Sequence, residues 1–180
     1  MNKEKDLMKI ALEEAKSAYG QNEIPVGCVV VDENFNFLCS AHNQRESTKQ
    51  ISRHAEIIAL EKAAQILGSW RLSKCKIFVT LEPCLMCLTA IVQSGIKDIY
   101  IGCKREGNED LKLSLLSDYL FDKGFNVKRN ILNHECSKIL KDFFEEKRNK
   151  NTKNSWLLRG FYSKTWDYII KEWSKNNIPS

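Results

Sequence analysis

The stretch Ile77-Phe78-Val79-Thr80-Leu81-Glu82-Pro83-Cys84-Leu85-Met86-Cys87 constrains this chain more than any other. Its apolar start, Ile77 to Val79, reads as a buried strand. The residues from Cys84 to Val92 read as a helix, with Pro83 in the first turn, where a missing N–H costs little. Cys84 and Cys87 are three apart, so both sulfurs lie on one helix face, one turn from each other. The unpaired N–H groups and the macrodipole at a helix N-terminus favour negative charge and so stabilise thiolates. This geometry suits a metal, but two sulfurs do not complete a zinc site.

A chain of 180 residues is one ordinary domain, with room for an appendage and a real core. Its net charge of +5 is a modest basic bias, compatible with a polyanionic partner. No apolar run approaches the length of a membrane span, and the lysine-rich start, Met1 to Asp6, lacks a following apolar segment. A cytoplasmic protein with no membrane partner is expected. Seven cysteines, an odd number, then argue for thiols or metal ligands rather than a disulfide framework.

Residues Lys5 to Tyr19 read as an amphipathic helix, with Leu7, Ile10, Ala11, Ala15 and Ala18 on its apolar side and Gly20 as its end. Val26 to Val31 is a β-branched run suited to a buried strand, and Phe35, Phe37 and Cys39 alternate as its hairpin partner. A helix from His54 to Leu67 follows, then the strand and cysteine helix already described, and a strand at Asp98 to Ile101. Leu111 to Phe121 reads as helical, Phe125 to Ile131 as a last strand and Asn133 to Arg148 as a last helix. Strands alternating with helices argue for an α/β layered domain. The asparagine- and lysine-rich run from Asn149 reads as a linker, which divides the chain into a domain over 1–149 and an extension over 150–180. In that extension Trp166, Ile169, Ile170 and Trp173 have the spacing of one apolar helix face.

The best partner for the two cysteines is His54, in Arg53-His54-Ala55-Glu56. One histidine nitrogen with two thiolates is a catalytic zinc set that leaves the fourth tetrahedral position to water, whose pKa the metal lowers. Glu56, in the first turn of the same helix, is placed to move protons without ligating the metal. Other readings of the same residues stay open: His54 as a cap or core histidine, the cysteines as buried thiols, or a structural zinc completed by Cys75 or Cys136. Jointly, H-x-E followed by P-C-x-x-C is the signature of the zinc-dependent nucleobase deaminases.

The chain resembles the bacterial tRNA-specific adenosine deaminases, which convert the wobble adenosine of a tRNA anticodon to inosine. The likeness runs from the first helix to about Arg148, through Glu23-Ile24-Pro25-Val26-Gly27, Ala41-His42-Asn43, His54-Ala55-Glu56-Ile57, Thr80 to Cys87, and Glu135-Cys136 with Asp142-Phe143-Phe144. The first four pieces are shared with deaminases of free bases; the Asp-Phe-Phe end tilts the likeness toward the tRNA enzymes. The resemblance implies a three-layer cytidine-deaminase-like fold, with a mixed sheet of about five strands and helices on both faces. It implies one zinc per subunit on His54, Cys84 and Cys87, with Glu56 as proton shuttle. It further implies Asn43 as a hydrogen-bond partner of the target base and Ile24 and Val26 as the apolar wall beside it. Phe143, Phe144, Lys147 and Arg148 would touch a tRNA anticodon stem-loop, and a homodimer is expected. The alternatives are a deaminase of free guanine or cytosine, and a non-catalytic RNA-binding zinc module.

Two departures from the family pattern stand out. Where the family has a Gly-Ala-x-Asp loop, this chain has Gly102-Cys103-Lys104-Arg105-Glu106, so the aspartate expected against the RNA sugar is missing or displaced. The Asp-Pro shortly before the catalytic histidine is Gln50-Ile51. The extension lies outside the resemblance. Its aromatic face is expected to pack on its own domain or on a dimer mate, with RNA stacking or membrane-surface contact as the other readings.

Overall fold

The computed structural model describes residues 2–105 and 124–151. The chain divides into two compact units, Met1–Phe143 and Phe144–Ser180. The helix expected at Leu111 to Phe121 and the aromatic face at Trp166 to Trp173 lie outside the described residues.

A five-stranded sheet in the order β2-β1-β3-β4-β5 forms the middle of the first unit, from β1 (Gly27–Val31), β2 (Phe37–His42), β3 (Lys76–Leu81), β4 (Asp98–Cys103) and β5 (Asn126–Lys128). β1 runs antiparallel to both β2 and β3, whereas β3, β4 and β5 are parallel. The helices are α1 (Lys3–Gly20), α2 (Arg45–Thr48), α3 (Ala55–Leu67), α4 (Leu85–Ser94) and α5 (Asn133–Asn151). β1 and β3 are buried along nearly their whole length, as strands covered on both faces must be.

Strand alternation sorts the helices between the two faces. Ser40 and His42 of β2 face α1, where Glu14 takes a hydrogen bond from Ser40 Oγ at 2.5 Å and contacts His42 Nδ1 at 2.6 Å. Cys39 sits on the other face, its thiol on the Ala59 carbonyl of α3 at 3.3 Å. Two glycines let helices approach closely. A Cβ on Gly27 would lie 1.8 Å from the Ala11 carbonyl oxygen of α1, and one on Gly102 would lie 2.5 Å from Cys136 Sγ of α5. Neither gap admits a side chain, because the obstructing atoms are backbone or fully buried.

Four details differ from the sequence expectations. The buried face of α1 is Leu7, Met8, Ala11, Leu12, Ala15 and Ala18, and Ile10 is exposed. The stripe that follows the helical period through Ala11 and Ala15 includes Met8 and Leu12 and turns Ile10 outward. Phe35 is not in β2: it lies in the preceding turn at φ 65° and packs edge-on against Phe78 and Tyr100. The register between β1 and β2 shifts after Val30, so Cys39 is buried while Phe37 is half exposed. β5 is confined to Asn126–Lys128, shorter than the expected Phe125 to Ile131, and the polar stretch after β2 contains the four-residue α2.

Gly27→Ala should destabilise the fold by about 3 kcal/mol or more, since α1 would have to lift off the sheet. Urea unfolding of the two proteins checks this; a loss below about 1 kcal/mol would mean the helix shifts freely.

Candidate active site

All five strands bring one end to the same edge of the sheet. β1 starts beside the ends of β2 and β3, since Gly27 pairs with His42 and Cys28 with Val79, and the parallel β4 and β5 end there too. The Thr80 hydroxyl accepts the Gly27 N–H at 3.1 Å, tying the start of β1 to the end of β3 inside the core. The loops leaving this edge carry His54 and Cys84.

These two residues occupy the cap positions of α3 and α4, both in extended backbone and neither capping its own helix with its side chain. The side chains are therefore available to each other, and the two helix N-termini point their positive ends at the same spot. His54 Nδ1 lies 3.7 Å from Cys84 Sγ and 3.4 Å from Cys87 Sγ, and the two sulfurs are 3.5 Å apart. A tetrahedral zinc with Zn–S of about 2.3 Å and Zn–N of about 2.0 Å holds its ligand atoms roughly 3.5–3.8 Å apart. The donor set and its spacing thus fit zinc. Among the described residues no fourth histidine, cysteine or carboxylate joins the group. Cys136 lies elsewhere, under Gly102, with its thiol toward the Ile131 carbonyl. Three protein ligands with a fourth position left over is the arrangement of a catalytic site.

The contact with Cys87, reinforced by His54, brings the Cys84 thiol down to about 3, against the opposing effect of burial. The same sulfur–sulfur contact and burial push Cys87 up. A divalent ion bound between them would favour both sulfurs as thiolates.

Glu56 is in the first turn of α3 and only 3% exposed. Burial pushes its carboxyl up from the ordinary value, opposed by its own main-chain N–H and by the charges of His54 and Arg105. It stands outside the ligand group, as a proton-carrying carboxyl should. A buried acid held above its usual range can take a proton and give it back near neutrality.

Asn43 follows β2 directly and is buried. Its Oδ1 accepts the Ala55 N–H at 2.9 Å, so it satisfies one of the first N–H groups of α3 from outside the helix. That bond fixes the amide orientation, because only the oxygen can accept. Val26 is buried and Ile24 half-buried, and Val26 O receives the Asn43 N–H at 3.2 Å. Phe143 is 5% exposed and packs edge-on against Tyr19 of α1 at 5.4 Å, so it belongs to the core of the first unit. Phe144 is 44% exposed. Lys147 and Arg148 lie three and four residues beyond it on α5, on the same helix face.

Glu23 had no role in the sequence reading, yet it is among the most buried polar residues, at 1% exposure. Its carboxylate accepts the Glu46 and Ser47 N–H groups at 2.9 and 2.6 Å and so holds α2 in place. Burial pushes this carboxyl upward, but the bonds from Glu46 and Ser47 outweigh it and hold it below the usual range. Nothing in the sequence reveals a side chain bonding main-chain groups more than twenty residues away. Its place in the run Glu23-Ile24-Pro25-Val26-Gly27 was the one available signal.

An open His-Cys-Cys zinc set beside a buried carboxyl, on an α/β sheet with helices on both faces, defines a zinc-dependent deaminase site. The chain belongs to the cytidine and deoxycytidylate deaminase zinc-binding family, whose model matches residues 1–103. Within that family it is similar to the tRNA-specific adenosine deaminase of Bacillus subtilis, at 36% identity over 83% of this chain and 94% of that one. The Haemophilus influenzae protein of the same name is 34% identical over 88% of this chain and 92% of its own length. A solved structure from a study of A-to-I editing by tRNA:A34 deaminases at the wobble position superposes with a TM-score of 0.68 at 30% identity, over 75% of this chain and 99% of that one. The guanine deaminase of Nitrosomonas europaea superposes at 0.71 but with 20% identity, covering 77% of this chain and 83% of its own; that likeness concerns the fold alone. The matched zinc-binding region supports one zinc, and it spans His54, Cys84 and Cys87, the group whose spacing could hold a metal ion.

Replacing Cys87 by serine should leave the purified protein with well under one zinc per chain by metal analysis; full occupancy would remove Cys87 from the ligand set. A second test concerns acid stability. A carboxyl held below its unfolded value contributes stability above that value, about pH 4.3, and loses it as the pH falls through the folded value. Wild type should therefore melt above Glu23→Gln at pH 7 by an amount worth about 1–3 kcal/mol, with the gap closing below about pH 4. A gap independent of pH would mean that the charge on Glu23 does not matter.

Proposed function

We propose that this chain deaminates adenosine to inosine at the wobble position of a tRNA anticodon, in the cytoplasm, as a homodimer. The observation that carries the reading is the buried Glu56 on the same helix start as His54, with the His54-Cys84-Cys87 group closed to zinc dimensions. The identity of 34–36% to tRNA-specific adenosine deaminases over most of their length supports the substrate. No helix among the described residues is long and apolar enough to cross a membrane.

His54, Cys84 and Cys87 would hold the zinc, which would supply a water acidified toward neutrality. Glu56 would take one proton from the attacking water and deliver it to the ring nitrogen as the oxygen bonds to C6. It would then carry the second proton from that hydroxyl to the C6 amine, which leaves as ammonia as the C–N bond breaks and the carbonyl forms. Asn43 has its oxygen committed to Ala55, so its Nδ2 amide is the end that donates to the base. Ile24 and Val26 form the apolar wall on which the base lies. Phe144 offers an exposed ring for stacking, with Lys147 and Arg148 beside it for phosphate contact. A single-stranded anticodon loop presents its base at little unstacking cost. Leu85, Met86 and Ile51, all exposed and adjoining the ligand-bearing segments, give an apolar rim suited to a second copy of the chain.

Glu56→Gln should retain a full zinc complement and produce no measurable inosine in an anticodon stem-loop, a loss of at least about a thousandfold. Near-normal inosine formation by that variant would sink the assignment of Glu56. Free guanine turned over in preference to the stem-loop would sink the RNA reading. Phe144→Ala should raise KM for the stem-loop by about tenfold with kcat little changed.

A further inference from the structure

We propose that Arg105 and Arg129 form a guanidinium bracket that receives a phosphodiester of the RNA strand flanking the splayed base. The inference rests on the reading of the substrate as RNA.

Arg105 lies two residues beyond the end of β4 and Arg129 one residue beyond β5, so two adjacent parallel strands deliver them to the edge that carries the zinc ligands. Both converge on Glu82, two residues before Cys84. Arg105 Nη2 donates to the Glu82 carbonyl at 3.3 Å, and Arg129 Nε stands 3.6 Å from the Glu82 carboxylate. Glu82 is itself immobilised, its N–H bonded to Cys103 O at 2.9 Å and its residue 8% exposed. One buried residue thus holds two cations by different groups, Arg105 by its main-chain carbonyl and Arg129 by its carboxylate, and its single negative charge cannot neutralise both. The Arg129 side chain is 45% exposed and Arg105 also lies at the surface, so the excess positive charge faces solvent.

The backbone that presents Arg129 is unusual. Asn130 and Leu132 both have positive φ, 65° and 54°, around Ile131, whose N–H bonds Ile101 O. A leucine rarely adopts that conformation, and such conformations persist where the surroundings impose them. The bond from β4 and the burial of Ile131 do so here, and Arg129 is set in place as a result. A guanidinium matches a phosphate with parallel N–H donors, and two of them make a stronger and more directional anion site than lysines would. A base seated beside Glu56 carries its own phosphates one sugar away, at the rim where Glu82 precedes Cys84. Such a contact positions the strand and reads no sequence.

The test is binding of an anticodon stem-loop RNA to the full-length zinc-loaded protein, followed by fluorescence anisotropy across a salt series. Arg105→Ala and Arg129→Ala should each reduce the slope of log affinity against log salt by about 0.7–0.9, and weaken binding about five- to eightfold at ~0.1 M salt. Arg105→Lys should keep the slope, which separates charge from any effect on folding. Lys74→Ala, at the opposite end of the sheet, should change neither quantity. An unchanged slope in Arg105→Ala and Arg129→Ala, with a lowered melting temperature, would overturn the proposal and leave the arginines as pins for Glu82. Inosine formation by the wild-type protein is scored separately. If inosine forms while the slope ignores both arginines, the bracket falls and the substrate reading stands. If no inosine forms but the slope depends on both, the reading falls and the bracket stands. A wild-type protein that does not bind the RNA overturns both.

Discussion

The meeting of two helix N-termini at one edge of the sheet is the constraint on which the site depends. His54 and Cys84 stand at cap positions without capping, so their side chains are available to each other and their helices direct positive ends at the same spot. The arrangement holds only if β2 and β3 end at the same level. The antiparallel pairing of β1 with both strands ensures this, together with the Thr80 hydroxyl on the Gly27 N–H. Gly27 has a further duty, because α1 lies against it too closely for any side chain. The zinc geometry is therefore built into the packing of the core and not into the loops alone.

Opposite electrostatic demands are met within a few residues. The sulfurs need to be anionic, and Cys84 is helped there by Cys87 and His54. The proton transfer proposed for Glu56 calls for a raised carboxyl, and burial pushes it upward. Both sit at helix starts. What separates them is solvation and partners: Cys84 is half-buried among hydrogen-bonding neighbours, whereas Glu56 is enclosed in the sheet-facing turn of α3. Helix dipoles alone would have pushed the two groups the same way.

Around this centre the polar residues that look like ligands for substrate are in part structural. Asn43 spends its oxygen on the first N–H of α3, and Glu23 spends both oxygens on the turn that follows. A loop that approaches a substrate needs such anchors, since its backbone groups would otherwise compete for water. Phe143 and Phe144 divide the same way on α5: adjacent residues point about 100° apart on a helix, so one packs on Tyr19 and the other is exposed.

The candidate chemistry is written locally in the chain. His54, Glu56, Cys84 and Cys87 are local motifs whose spacing along a helix start is dictated by the helical period, so ligand and proton-shuttle candidates were legible before any fold was known. The alternation of apolar runs likewise announced the strands of an α/β sheet. Long-range packing controls the rest, and it becomes visible in the folded chain. It turned Ile10 outward and drew Phe35 into the core from a turn, and it gave Glu23 and Asn43 their main-chain partners. It also brought Arg105 and Arg129, twenty-four residues apart, to the carbonyl and the carboxylate of Glu82. Period and propensity act over a few residues. Which strand lies beside which, and hence which loops share an edge, is settled by burying the whole sheet at once.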